Sequence, residues 1–580
     1  MTRTPLRPPH LAWALALAPA LGLLLSACGG DSDKLPRLDA AKPGTLQVCV
    51  QLGTAVLAGT TISSATEVAA AGLVVAGAAT VPAHCLVKGE MNRRTSAVDG
   101  KSYAIGFEMR LPTAWNGRFF YQANGGIDGS VVTAAGPTSG GSPVSNALTM
   151  GFAVISSDAG HQPPAPFFGV DPQARLDYGY AAVGSLTPMA KNLIKAAYGR
   201  TPDRSYIGGC SNGGRHALVA AARYGDQYDG VLAGAPGMHL PKAAVAQLFK
   251  VQQYASIASG TVASGADAGQ PDISTAVTPG EWAFLSGRIT AKCDALDGVS
   301  DGMVQAPVAC QAAFNIATDV PTCVGARDGA CLTTGQKDVL TRIFAGAVTP
   351  RGQGIYSKFY WDPGVSGSNY ASWHYAQSTQ RDPGAVAFIF NSPPWTQADF
   401  VATTGLKFAL GYDLDAGYQK IFATDTTYTE SPWSFMTPPH ETDLSVVRDR
   451  GGKVLVYHGA ADPIFSAADT VDWYQRLTAA NDSHADDFAR LFLVPGMNHC
   501  SGGPSADQFD ALTALVSWVE QGQAPERITA RARGAGANVV NTEVPASWGT
   551  ARTRPLCPYP QVAQYKGSGD VENAENFSCR

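Results

Sequence analysis

The chain has 580 residues, 45% apolar and 15% charged, with a formal net charge of -5. That length exceeds one ordinary compact core and points to two lobes, or to one domain with a large insertion; the composition excludes a disordered chain. No basic run or stripe is present, which argues against a nucleic-acid partner.

The N-terminus reads as a targeting segment. Arg3 and Arg7 precede an apolar stretch from Leu11 to Leu25, interrupted by Pro19, and Leu25-Ser26-Ala27-Cys28 closes it with small residues and a cysteine. This is the pattern of a signal peptide over 1–27. The last four residues resemble a bacterial lipoprotein lipobox. The resemblance implies a lipid on Cys28, and Gly29 rather than Asp after it implies the outer membrane rather than the inner. Plain cleavage near Ala27, with a periplasmic or extracellular product, is the other reading, and an uncleaved anchor is a third. Residues 28–45 read as a tether. No later stretch reaches about 18 continuous apolar residues, so no spanning helix is expected.

From about residue 101 the pattern becomes strand-like. Tyr103 to Leu111 alternates and ends at Pro112; Gly117 to Gln122 is a short apolar run before Asn124-Gly125-Gly126; Phe152 to Ser157 is a third strand. A helix is predicted over 177–198, a strand over Arg204–Gly208, a helix after Gly213 and a short strand at Val231–Ala233. Strands alternating with helices predict an α/β fold with a mainly parallel sheet covered on both faces. Between 239 and 439 the rhythm degrades into Gly, Ala, Thr and Pro with many aromatics, and this region reads as an inserted lid domain. The rhythm returns at Lys453–Tyr457 and Arg490–Val494. A helix from Asp507 to Gln521 shows an apolar face through Phe509, Leu512, Leu515 and Trp518/Val519. Residues 46–238 and 440–580 thus form the catalytic domain and 239–439 the lid, with the cysteine-bearing tail as a surface extension.

Eleven cysteines are present. With Cys28 set aside, an even number remains behind a signal peptide, which argues for disulfides in an oxidising compartment. No CxxC pair occurs, so a zinc site is not expected. Spacing does not fix the connectivity. Short loops favour Cys49 with Cys85, Cys293 with Cys310, Cys323 with Cys331 and Cys557 with Cys579, which leaves Cys210 and Cys500.

Gly209-Cys210-Ser211-Asn212-Gly213 fits G-x-S-x-G, with a strand before it and a helix after it. In that context the serine sits on a sharp turn, its hydroxyl exposed and the helix amides aimed at developing negative charge. A serine nucleophile needs a base, and the base needs an orienting carboxylate. In an α/β-hydrolase fold these follow in the order Ser, acid, His. Asp462 follows the strand at 453–457 and His499 follows the strand at 490–494. Ser211, Asp462 and His499 are therefore the candidate triad. A Cys210–Cys500 bridge would tie the two loops together, since bridged Cα atoms lie only ~6 Å apart. Two amides are needed for the oxyanion. Asn212 supplies one, and the loop Gln122–Gly126 the other, with Gly126 preferred to Gly125. Trp395 and Phe388 of the lid, and His458 four residues before Asp462, are candidate pocket residues.

The elbow Gly209–Arg215, the Asp462-Pro463 pair and the run Gly496-Met-Asn-His-Cys500 resemble the tannase and feruloyl esterase family. So do Trp115–Phe120, Gly234–Pro236, Cys293–Val304 and Arg552–Gln561. The resemblance covers nearly the whole chain after the leader. It implies an α/β-hydrolase fold with a large lid, five disulfides that use all ten remaining cysteines, and a structural calcium ion in the lid. By resemblance Asp294, Asp297 and Asp301 bind Ca²⁺ through side chains and Val299 and Met303 through carbonyls. Oxygen donors of this density suit a hard cation, although the spacing is not that of an EF-hand.

The resemblance further implies a carboxylic ester hydrolase acting on small aromatic-acid esters, whether feruloyl, galloyl or terephthalate half-esters, through an acyl-enzyme. Two features depart from the family member that acts on terephthalate half-esters. That member carries a carboxylate where Asn212 stands, and its lid arginine has no counterpart within Asp382–Phe388, Arg381 lying just before. A binding lipoprotein that kept the fold, and a serine peptidase, are the competing readings.

Overall fold

The computed structural model describes residues 35–75, 79–137 and 146–580. The proposed leader and Cys28 lie outside the described residues. Residues 36–580 form one compact unit.

Its centre is a nine-stranded sheet. In chain order the strands are β1 (Thr60–Val68), β2 (His84–Thr95), β3 (Ser102–Pro112), β4 (Arg118–Gln122), β5 (Ala153–Ser157), β6 (Arg204–Cys210), β7 (Gly230–Gly234), β8 (Lys453–Gly459) and β9 (Ala489–Val494). Their spatial order is β9-β8-β7-β6-β4-β5-β3-β2-β1. The six from β9 to β5 run parallel. β3, β2 and β1 continue the sheet antiparallel. The parallel strands are nearly continuous apolar runs: β5, β7 and β8 are buried along their whole length. This is what burial on both faces requires.

The helices that cover the sheet follow from local signals. α1 (Ala182–Tyr198) ends at Gly199, whose φ of 75° is the left-handed cap conformation. α2 (Asn212–Arg223) follows β6 with a single residue between them. α3 (Leu240–Ala255) opens the lid region. α4 (Ala467–Ala480) follows β8, and α5 (Ala511–Gln521) packs Leu512, Leu515 and Val519 into the core with Tyr206, Phe152 and Tyr457. α5 begins four residues later than the apolar pattern predicts, because the Asp510 carboxylate caps it by accepting from the Thr513 amide at 2.9 Å.

The region from 239 to 439 is built of helices, most of them short, with α3 and Pro279–Cys293 the long ones. An ion cluster ties both of its crossing points to the body. His239, where the chain enters, places Nδ1 2.9 Å from Asp469 Oδ2 of α4 and Nε2 2.8 Å from Glu441 Oε2, where the chain leaves. Arg476 of α4 donates to the other Glu441 oxygen at 2.6 Å.

Sequence reading missed β1 and β2. Their polar, half-exposed residues give no hydrophobic alternation. The segment read as a tether is described from residue 35, and there it lies against the body. Gly44–Thr45 pairs with Ala114–Trp115, and the amides of Ala41 and Lys42 donate to Glu520 and Asp203 at 2.9 and 2.8 Å. The tail forms two small antiparallel pairs, Ile528–Arg531 with Thr553–Leu556 and Ala563–Tyr565 with Phe577–Cys579.

Candidate active site

Ser211 sits between β6 and α2 with φ 68° and ψ -127°, a conformation costly for a residue with a Cβ. The turn is possible because Gly209 and Gly213 lack side chains: a methyl at either would run into the Ala123 carbonyl. The strained turn holds the hydroxyl at the C-terminal edge of the sheet, over the N-terminus of α2.

His499 Nε2 lies 2.7 Å from Ser211 Oγ, and His499 Nδ1 lies 2.7 Å from Asp462 Oδ2. The network assigns the proton on Nδ1 to the carboxylate and leaves Nε2 to accept from the serine. Asp462 is 2% exposed and His499 7%. Asp462 Oδ1 accepts from the amides of Ile464 and Phe465, each at 2.9 Å. Burial opposes its charge, but the His499 charge and hydrogen bonds from His458 and His499 outweigh burial and hold the carboxyl well below its usual range. The arrangement can take a proton from a hydroxyl and stabilise the resulting imidazolium.

Support comes from both sides. From the lid, Lys250 of α3 donates to the Pro463 carbonyl at 2.7 Å, and burial pushes its amine down to about 7. From the body, Cys210 and Cys500 are joined, their Cα atoms 6.1 Å apart. The other four bridges are Cys49–Cys85, Cys293–Cys310, Cys323–Cys331 and Cys557–Cys579, the pairing that short loops favour.

The loop 124–128 faces the serine. A Cβ on Gly125 would lie 3.6 Å from Ser211 Cβ, and Gly126 follows at φ 68° with open space at its α-carbon. The Tyr178 hydroxyl donates to the Gly126 carbonyl at 3.2 Å, and His161 Nε2 lies 2.8 Å from the Ile127 carbonyl. Burial lowers the imidazole of His161 to about 4, so it is neutral.

The three pocket residues read from sequence stand elsewhere. His458 is fully buried, with Nδ1 2.9 Å from Thr470 Oγ1 and Nε2 2.9 Å from the Phe465 carbonyl and 3.4 Å from Asp462 Oδ2. It props the acid loop from beneath and has no surface to offer a ligand. Phe388 is fully buried between Phe167 and Phe400, and Trp395 packs edge-on against Phe408. These are lid core. The rings that reach His499 are Trp373, at 5.0 Å between centroids, and Phe465, at 5.3 Å. The Arg381 guanidinium lies over the Trp373 ring at 4.2 Å and pairs with Asp382 at 3.1 Å. Phe465, three residues from Asp462, could have been found by its place on the acid loop; Trp373 carries no local signal.

The proposed calcium loop, 294–303, has a donor set that suits a hard cation. Asp294 Oδ1 accepts from the amides of Asp301, Gly302 and Met303 at 3.1–3.2 Å. Asp297 Oδ2 is buried with no hydrogen-bond partner. Burial, with Asp301 and Asp294 nearby, pushes the Asp297 carboxyl up to about 7 against the pull of the Val299 amide. Asp301 also pairs with Arg554 of the tail. Among the described residues no three His, Cys, Asp or Glu side chains converge on a metal position. A cation here would need main-chain oxygens, as Val299 and Met303 would offer.

A family model described as tannase and feruloyl esterase matches residues 85–580. The chain belongs to the tannase and feruloyl esterase family. Within the tannase and feruloyl esterase family, it is 42% identical to mono(2-hydroxyethyl) terephthalate hydrolase of Piscinibacter sakaiensis, over 87% of this chain and 86% of that protein. It is 27% identical to a probable feruloyl esterase B-2 of Aspergillus fumigatus, over 85% of this chain and 87% of that one. Among solved structures it resembles feruloyl esterase B of Aspergillus oryzae, with a TM-score of 0.69 at 24% identity, covering 91% of this chain and 98% of that chain. Tannin acyl hydrolase of Aspergillus niger gives a TM-score of 0.64 at 19% identity, covering 94% and 93%. At those identities the structural likeness speaks for the shared α/β-hydrolase fold with its inserted lid.

Proposed function

We propose that this chain is a carboxylic ester hydrolase that cleaves small aromatic-acid esters through an acyl-enzyme on Ser211. The observation that carries the reading is the unbroken hydrogen-bond path Ser211–His499–Asp462, both links 2.7 Å, on a strained nucleophile turn. His499 takes the serine proton as Oγ attacks the ester carbonyl. The amides of Asn212 and Gly126 receive the oxyanion. His499 then protonates the leaving alcohol and activates water for the second half of the reaction. Asp462 fixes the imidazole tautomer throughout. Trp373 and Phe465 flank the imidazole as apolar walls for an aromatic acyl group.

Within that class, a substrate with a free carboxylate is favoured by Arg381. Its guanidinium, stacked on the ring that touches His499, is the cation available to the far end of such an acyl group. The relative at 42% identity is named for a terephthalate half-ester.

The loop 294–303 would hold Ca²⁺ through Asp294, Asp297 and Asp301 and the carbonyls of Val299 and Met303. The ion would give Asp297 Oδ2 the partner it lacks and brace the lid loop. The five disulfides fit an oxidising compartment, and no helix among the described residues is long and apolar enough to cross a membrane. The leader-type N-terminus supports export, with Cys28 the proposed lipid anchor and the outer membrane, periplasm or exterior the destination. Labelling with radioactive palmitate in wild type and Cys28→Ala tests the anchor.

The test of function is turnover of methyl ferulate, methyl gallate, mono(2-hydroxyethyl) terephthalate and its uncharged bis-ester, beside Ser211→Ala. Turnover that vanishes in the variant supports the serine esterase. A folded protein that turns over none of them sinks the aromatic-ester reading.

A further inference from the structure

The reaction above uses the main chain of Asn212 and leaves its side chain without a role. That side chain is closed into a ring of hydrogen bonds. Asn212 Nδ2 donates to Asp128 Oδ2 at 2.9 Å, and His216 Nε2 lies 2.9 Å from the same oxygen. Arg215 Nε donates to Asn212 Oδ1 at 2.6 Å, and Arg215 Nη2 lies 3.1 Å from His216 Nδ1. Donors and acceptors match around the whole ring when His216 carries its proton on Nε2. All four side chains are buried: Asn212 is 1% exposed, Arg215 0%, His216 3% and Asp128 7%. Burial, with the Arg215 charge beside it, keeps His216 neutral.

The ring joins two segments that chemistry needs at a fixed separation. Asp128 ends the loop that carries Gly126. Asn212, Arg215 and His216 belong to the first turn of α2. Arg215 makes a second tie: it donates to the Tyr178 carbonyl at 2.9 Å, and the Tyr178 hydroxyl donates to the Gly126 carbonyl at 3.2 Å. The loop and the nucleophile turn are thus connected twice, through side chains that touch no reacting atom.

We infer that the side chains of Asp128, Asn212 and His216 are positioning residues that set the spacing between the Gly126 and Asn212 amides around the oxyanion. The inference rests on the reading of those amides as the oxyanion donors. It explains why a carboxamide stands at 212. In the ring as this chain builds it, the carboxamide donates to Asp128 at one end and accepts from Arg215 at the other. An aspartate there would accept from Arg215 but would set a second carboxylate against Asp128. A leucine would leave both partners unmatched in a buried site. Oxyanion stabilisation depends on donors held at hydrogen-bond distance before the charge develops, so loosening the spacing acts on the transition state more than on substrate binding.

The exchange of the pair tests this. Wild type, Ser211→Ala, Asn212→Asp, Asp128→Asn and the double variant Asp128→Asn/Asn212→Asp are compared with methyl ferulate and p-nitrophenyl acetate. Inhibition by phenylboronic acid, which makes a tetrahedral adduct with a serine, is measured beside the thermal midpoint. Asn212→Asp is expected to lower kcat about tenfold or more while KM moves little, and to weaken phenylboronic acid by a similar factor. Asp128→Asn keeps an acceptor at the same place and is expected to stay within about threefold of wild type. The double variant restores one donor facing one acceptor and is expected to recover most of the loss. Asn212→Asp with wild-type kcat and inhibition overturns the inference. So does a folded double variant no better than Asn212→Asp. Wild-type turnover that does not depend on Ser211 sinks the reaction reading and this inference with it; Ser211-dependent turnover untouched by Asn212→Asp sinks this inference alone.

Discussion

Cys210 is bonded to Cys500 across 290 residues of sequence, and each is the chain neighbour of one partner in the Ser211–His499 hydrogen bond. The bridge therefore fixes the two loops that must meet for proton transfer. Replacing both cysteines by alanine is expected to lower stability by ~3–5 kcal/mol, the scale for a long closed loop. It should also cut kcat/KM by about a hundredfold, because an apposition held covalently becomes one that the loops must find. Denaturant titration and steady-state kinetics measure the two effects. Lost stability with unchanged kcat/KM would make the bridge a staple only.

Asp462 is ionised, buried and aimed at His499 Nδ1. Asp462→Asn keeps the shape but offers the imidazole a donor or an acceptor according to its rotamer. The expected loss is ~10³–10⁴-fold in kcat with little change in KM. A loss below about tenfold would move the orienting role to another group.

Trp373 and Arg381 make a prediction about selectivity. Trp373→Ala removes a wall beside the imidazole and should cost about tenfold or more in kcat/KM on aromatic acyl esters, and less on an acetate ester. Arg381→Gln should weaken turnover of a terephthalate half-ester by about tenfold or more and leave methyl ferulate nearly unchanged. Equal losses on charged and neutral esters would assign Arg381 to lid packing with Asp382.

The lid crossing carries a pH dependence. Burial opposes the charge on His239, but Asp469 and Glu441 outweigh burial and raise its pKa from 6.5 to about 9. The folded chain thus holds this proton more tightly than the unfolded one. The stabilisation is complete below pH 6.5 and is lost as pH rises through about 9. Wild type should lose on the order of 1–3 kcal/mol across that window from this group. His239→Gln should be less stable at pH 6.5, and the difference from wild type should shrink by pH 9. Urea titrations at a series of pH values give the answer, and a constant difference would rule out the charge on His239 as its source.

Chelation tests the lid loop. Removal of Ca²⁺ with EGTA should lower the thermal midpoint, and Ca²⁺ should restore it where Mg²⁺ does not, since an irregular oxygen cage suits the larger ion. Asp297→Asn should abolish the response to Ca²⁺. A midpoint indifferent to EGTA and to added Ca²⁺ would leave Asp297 a buried acid without that partner.

Much of the site is legible in the sequence because its signals are local. Ser211 announces itself by two glycines that let the chain pass the Ala123 carbonyl. Asp462 and His499 sit where two apolar runs end. The cysteines next to Ser211 and His499 convert a fold order into a distance. Trp373 is not legible, because it reaches the imidazole through packing between segments 126 residues apart in sequence. His458 misleads for the converse reason: its nearness to Asp462 suggests a ligand group, yet Thr470 and Phe465 occupy both of its nitrogens. β1 and β2 escape notice because strands half-exposed to water need no hydrophobic alternation.

The partner of Ser211 in proton transfer lies 288 residues further along the chain, and the cysteine that locks the two together comes one residue after that. A chain still emerging, or still threaded through a membrane, carries a serine with neither base nor lock. Its hydroxyl is an ordinary alcohol during that passage. Reactivity waits until residue 499 has arrived, so the order in which the parts of the chain appear delays the chemistry until the fold is nearly whole.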